Sequence, residues 1–115
     1  MKFTIDRNVW LRGEGVCNSK LLRDDGKMCC VGIFLKALGV MDEDLIDQRV
    51  AYDLGIVRLE KLQCPWLAAH GADEPVPSII ELYRTNDSRV MDDADREQLI
   101  TKEFGKHDVE VEFIN

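Results

Sequence analysis

The sequence predicts a single small α+β domain spanning residues 1–115, in which a short antiparallel sheet pairs the two ends of the chain and packs on three or four short helices. Two alternating segments and one long apolar segment carry this expectation. "KFTID" places Phe3 and Ile5 on one face and Lys2 and Thr4 on the other. "DVEVEFI" does the same near the far end, with Val109, Val111 and Phe113 alternating with Glu110 and Glu112. Period-two alternation of this kind is the mark of a half-buried strand. If the two segments pair, Lys2 should face a glutamate across the ladder. Between them, Met28 to Leu38 is apolar nearly all round and is followed by Gly39, the pattern of a buried helix with a glycine stop.

The remaining elements follow in order. Asp6 is placed to cap a helical turn carrying Val9, Trp10 and Leu11, which "RGEG" then ends. "KLLRDDGKMC" reads as a hairpin or tight turn around Asp-Gly. In the apolar helix, Met28, Val31, Leu35 and Leu38 share a face, Lys36 needs water, and Gly32 lets a neighbour come close. "MDEDLIDQ" begins another short helix, with Asp42 as cap and acids in the first turn. Residues 49–77 are punctuated by Pro65, Pro75 and Pro77 and read as a loop-rich crossing that lays Trp66 and Leu67 on the core. "SIIELYRTNDS" starts as a regular element and ends as a polar loop at Asn86 and Asp87. "DDADREQLITKEFG" is a helix capped by Asp92 or Asp93, with Leu99, Ile100 and Phe104 inward and Gly105 as its stop.

Composition narrows the function. With 115 residues, 45% hydrophobic and 32% charged, the chain suits one globular domain of ordinary stability, of the order of 5–10 kcal/mol. No apolar run approaches the roughly 20 residues of a membrane span. "MKFTID" does not read as a secretory leader, so the expected setting is cytosolic. The net charge is −7 and is unevenly placed. Residues 1–72 hold ten acids and ten bases, whereas residues 73–115 hold twelve acids and five bases. That asymmetry fits a basic partner or plain solubility, and it disfavours nucleic-acid binding, which needs a cationic face.

Four cysteines stand at positions 17, 29, 30 and 64. In a reducing compartment they are expected as thiols. With His70 and His107 they could supply zinc ligands, yet no Cys-x2-Cys pair is present and the spacings are irregular. Cys29 and Cys30 sit inside the apolar helix, so packing is their expected role, with a nucleophile or a metal ligand as the alternatives. No Walker motif, nucleophile elbow or dinucleotide loop occurs. No catalytic residue, metal site or cofactor is therefore assigned. The polar residues that could form a binding site are Trp10, Arg12, Arg23, Asn86 and Asp87. Arg12, beside an aromatic and a glycine pair, could present its guanidinium to a phosphate or carboxylate. The competing expectation is internal, with Arg12 or Arg23 holding Asp87 and Asn86 forming a turn.

Three segments carry a resemblance: "WLRGEG" at 10–15, "LLRDDGKMCCVG" at 21–32 and "LYRTNDS" at 82–88. Together they resemble a family of small uncharacterised proteins of tailed bacteriophages and prophages. Its members read as Trp with Leu-Arg-x-Gly, then Leu-Arg-x-x-Gly-x-x-Cys-Cys-Leu-Gly, then Leu-x-x-x-Asn-Asp. Val31 replaces the usual leucine, and residues 40–77 match weakly. The resemblance implies a setting, the host bacterial cytoplasm, and a class of action, since small phage accessory proteins commonly work by binding. The leading expectation is an inhibitor of a host defence or metabolic protein, docking through an acidic surface that includes Asp92, Asp93, Glu110 and Glu112. The alternative is a binder that sequesters a nucleotide signal, using Trp10, Arg12 and Arg23. A small enzyme is the third.

Overall fold

A computed structural model describes residues 1–15, 18–69 and 76–115. Strand β1 (Lys2–Asp6) is followed by α1 (Cys30–Ala37), α2 (Asp42–Leu45), a 3-10 turn (Ala51–Leu54), α3 (Ile56–Lys61), a second 3-10 turn (Pro65–Ala68), α4 (Ser78–Asp87), α5 (Asp93–Gly105) and β2 (Glu110–Ile114). The described residues thus form five α-helices, more than the three or four expected.

Both terminal strands form and pair, but they run parallel, with Lys2 opposite Glu110 and Asp6 opposite Ile114. The antiparallel expectation is overturned. Alternation fixes which side chains face inward and carries no information on direction. A parallel pair needs a long crossover connection, and here the crossover is the whole chain between the two strands. A left-handed residue, Asp108 at φ 60°, turns the chain from α5 into β2. Lys2 does meet a glutamate, its Nζ lying 3.0 Å from Glu112 Oε2 on the exposed face.

Phe3 and Ile5 of β1 are fully inward, and Phe3, Phe34 and Phe104 pack ring to ring at 5.0–5.1 Å. Trp66 closes the cluster, 6.1 Å from Phe34 and 6.0 Å from Phe104, and Leu67 beside it is buried. The crossing segment therefore lays both residues on the core as expected.

The helix at Cys30–Ala37 lies at the centre. Its N-cap is Cys29, whose Sγ accepts from the N–H of Gly32 at 3.5 Å. Gly39 ends it at φ 98°, with Val40 N–H reaching back to Leu35 O at 3.1 Å, a left-handed closure that suits glycine.

Several boundaries differ from expectation. Asp6 caps a turn rather than a helix, accepting from Asn8 N–H at 2.9 Å. Met41, not Asp42, is the N-cap of α2. "SIIELYRTND" is helical throughout, so Asn86 and Asp87 are the last turn of α4 instead of a loop. In α5, Asp92 caps as expected, accepting from Asp95 N–H at 2.9 Å. Gly105 lies inside the helix, and Leu99 points outward while Ile100 and Phe104 are buried.

Candidate functional site

The polar residues singled out in the sequence converge at the end of α4, and the hub is Asn86. It is 1% exposed. Its Oδ1 accepts from Trp10 Nε1 at 2.8 Å and from Cys30 N–H at 3.1 Å. Its Nδ2 donates to Leu11 O at 3.0 Å and to Asp87 Oδ1 at 3.1 Å. An asparagine side chain offers two acceptor lone pairs and two donors, so every position is filled. The backbone joins in, with Gly13 N–H donating to Asn86 O and Gly15 N–H to Asp87 O, both at 2.8 Å.

Arg96, from the first turns of α5, completes this network. Its side chain is 5% exposed. Nη1 donates to the carbonyls of Thr85 (2.7 Å), Asn86 (3.0 Å) and Ser88 (2.9 Å), and Nη2 to Met91 O at 2.7 Å. The final carbonyls of a helix lack intrahelical donors and carry partial negative charge. A buried guanidinium answers both needs. Nε also approaches Asp93 Oδ1 at 3.3 Å, and Asp93 passes the connection to Arg12.

Arg12 lies over the Trp10 ring, 4.4 Å from its centroid. Its Nε and Nη2 donate to the Asp93 carboxylate at 3.0–3.2 Å, and its Nη1 donates to Arg7 O and Trp10 O. The Arg12 hydrogen bond, opposed by partial burial, holds the Asp93 carboxyl below the usual carboxylate range. Trp10 is buried, with the Phe113 ring 5.3 Å away. Its ring is thus covered by the protein's own cation and is not open for stacking a base.

Of the five candidate binding residues, Trp10, Arg12, Asn86 and Asp87 are brought together, and they are joined to one another by internal bonds. Arg23 is apart from them. It sits in the Asp-Gly turn, clasping Asp25 with two bonds of 3.0 and 2.6 Å, and its Nη1 is 3.9 Å from Glu14. The Arg23 hydrogen bond, aided by Lys27 N–H, pulls the Asp25 carboxyl down to about 2. Neither arginine pairs with Asp87, as the internal expectation had it; Arg12 holds Asp93 and Arg23 holds Asp25. Arg96 escaped sequence reading because an arginine among acids in a helix looks solvated.

Burial disfavours the thiolate, the nucleophilic form, at both Cys29 and Cys30. Burial raises Cys29 to about 12, and it pushes Cys30 well up, with the Cys29 and Asp87 charges adding to the effect. Only the thiolate is reactive. Cys29 and Cys30 should therefore resist iodoacetamide in the native protein at pH 8 and be alkylated once it is unfolded in guanidinium, as peptide mass mapping would show. Prompt labelling in the native state would contradict this. Cys17 and His70 lie outside the described residues. His107 stacks flat on Trp66 at 3.9 Å, and burial lowers its pKa. Among the described residues no group of three or more His, Cys, Asp or Glu side chains could hold a metal ion.

The exposed acids among residues 76–115 fall into two groups, one at each end of α5, whose 13 residues span roughly 20 Å. At its start, Asp93 is neutralised internally while Asp92 and Asp95 are exposed. At its end stand Asp108, Glu110 and Glu112, all exposed, with Glu112 paired to Lys2. A surface depression of about 470 Å³ is lined by Gly15, Asn18, Arg84, Asp87, Ser88 and Arg89.

The chain matches no protein-family model, no curated protein and no solved structure. Its chemistry is therefore argued from its own side chains. No helix among the described residues is long and apolar enough to cross a membrane.

Proposed function

We propose that this chain is a bacteriophage or prophage accessory protein that acts in the host cytoplasm by binding, inhibiting a host protein through the acidic surface of residues 73–115. One observation carries the reading. The entire charge excess lies in that region, and Asp92, Asp95, Asp108 and Glu110 are exposed there without an ion pair among the described residues. Carboxylates left unpaired at the surface project a field that speeds encounter with a cationic partner and selects against acidic ones. The polar residues around Asn86, by contrast, are spent on holding the fold, and Cys29, Cys30 and Cys64 are buried.

A tagged copy carried through bacterial lysate, with mass spectrometry of retained proteins and small molecules, tests this. The expected result is a stoichiometric protein partner released by high salt. The variant with Asp92→Asn, Asp95→Asn, Glu110→Gln and Glu112→Gln should associate with it at least about tenfold more slowly at low salt. Asp93 is left intact in that variant because Arg12 and Arg96 depend on it. Equal association by the variant would sink the acidic-surface reading. The depression between Arg84 and Arg89 supports a second reading, sequestration of a small anionic molecule such as a nucleotide. A retained nucleotide with no protein partner would favour it, and Arg84→Ala with Arg89→Ala should then lose the ligand.

A further inference from the structure

The outer edge of β2 has the features of an unfilled strand position. In a parallel ladder, alternate residues turn their backbone groups toward the neighbouring strand and the others turn away. Glu110 N–H donates to Met1 O at 2.8 Å, and Arg7 N–H donates to Ile114 O at 2.9 Å. With Lys2 opposite Glu110 and Asp6 opposite Ile114, residues 110, 112 and 114 face β1. The N–H and C=O of Val111 and Phe113 therefore point away from it, and no described residue bonds to them. Their side chains show the same incompleteness. Phe3 and Ile5, their register partners in β1, are 4% and 0% exposed, whereas Val111 and Phe113 are only half-buried. Val111 and Phe113 pack against the core yet keep part of their apolar surface exposed, with Trp10 5.3 Å from the Phe113 ring and the Arg7 guanidinium 5.7 Å over it. On the opposite face of the same strand, Glu110 and Glu112 are exposed.

We propose that β2 accepts, as a third strand, an extended basic segment of a partner protein in which lysine or arginine alternates with apolar residues. This rests on the reading of the chain as a protein-binding factor, and it names the element that binds and the chemistry of what is bound. The partner's main chain closes on the free amides and carbonyls of Val111 and Phe113. Its apolar side chains extend the core over those two residues, and its cations lie beside Glu110 and Glu112. A second copy of this chain fits the edge poorly. Pairing β2 with β2 sets glutamates against glutamates, and like charges directly opposite are destabilising. The charged row thus admits a cationic strand while keeping copies of the chain apart.

The probe is a synthetic capped peptide, Lys-Val-Lys-Val-Lys-Val-Lys, compared with a peptide of the same composition in which the lysines and valines are blocked. Each is titrated into the isotope-labelled full chain at low salt, with amide hydrogen exchange followed by NMR. The alternating peptide should slow exchange at Val111 and Phe113 at least tenfold, leave Glu112 unchanged, and bind at least tenfold more tightly than the blocked one. Val111→Pro removes an N–H that β1 does not use, a position at which an edge strand tolerates proline, and should abolish the protection. Glu110→Gln with Glu112→Gln alters only exposed side chains and should weaken binding about tenfold, which keeps the test valid if the proline variant folds poorly. Equal binding of both peptides without protection at Val111 and Phe113 would overturn strand addition and leave the acidic-surface reading to the lysate experiment. Absence of binding by either peptide would overturn it too. So would concentration-dependent protection of the same amides without peptide, which would assign the edge to a second copy.

Discussion

Replacing Asn86 by alanine is expected to lower the unfolding free energy by about 3–4 kcal/mol, the effect of leaving several buried polar groups without partners at once. The side chain accepts from Trp10 and Cys30 and donates to Leu11 and Asp87. Truncation orphans the indole N–H, the first amide of α1 and a buried carbonyl. Each unsatisfied group costs about 1–3 kcal/mol, and partial relaxation keeps the sum below the upper bound. A domain of this size holds about 5–10 kcal/mol in all, so a urea titration should show the midpoint fall by a third or more. Asn86→Asp should be at least as damaging at neutral pH, because a carboxylate oxygen would face Leu11 O and the Asp87 carboxylate where the amide NH2 now donates. A double-mutant cycle with Trp10→Phe isolates the indole bond, and a coupling of about 0.5–3 kcal/mol is expected for residues in one network. An Asn86→Ala variant as stable as the parent would show that the bonds around this residue do not hold the fold together.

This network also marks where the sequence stops being legible. Asn86 and Asp87 look like a polar loop, because asparagine and aspartate favour turns when their side chains must satisfy nearby backbone. Their actual partners are remote, with Trp10 76 residues away and Cys30 56 away, and no local pattern announces them. Arg96 was hidden for a related reason. The buried stripe of α5 is Arg96, Ile100, Glu103 and Phe104, which follows helical spacing but includes two charged residues that hydrophobic patterning skips. Of the three residues expected inward, Ile100 and Phe104 are buried and Leu99 is exposed. A usable signal did exist, since the short link at 88–92 places the first turns of α5 beside the last carbonyls of α4, and a basic residue there is suited to those carbonyls. The strands were readable because alternation is local, whereas their relative direction depends on the path of everything between them. The apolar helix and its close-approach glycine were readable for the same local reason.

Gly32→Ala should cost about 2–4 kcal/mol even though alanine is the better helix former. In an exposed helix interior the change would gain roughly 1 kcal/mol. Here an added Cβ would stand 1.8 Å from Leu21 O, 2.6 Å from its carbonyl carbon and 2.9 Å from its Cα. All three are backbone atoms, so no side-chain rotation relieves the clash. The segment cannot easily yield, because Leu21 is fully buried. Its N–H is tied to Gln48 O at 2.7 Å, and the neighbouring Lys20 O accepts from Cys29 N–H at 3.1 Å. Overpacking a tight site typically costs 1–3 kcal/mol and sometimes more. Gly39→Ala is the informative comparison. Nothing lies within 4 Å of its added Cβ, but its φ is 98°, so any loss there reports backbone strain alone, of order 1–3 kcal/mol. If steric seating governs at Gly32, the variant should also weaken the hold of Asn86 on Cys30 N–H, since α1 must lift off residue 21 to make room. Exchange of the Cys30 amide should then quicken in Gly32→Ala and stay unchanged in Gly39→Ala. A Gly32→Ala protein about 1 kcal/mol more stable than the parent would mean that α1 does not sit against Leu21.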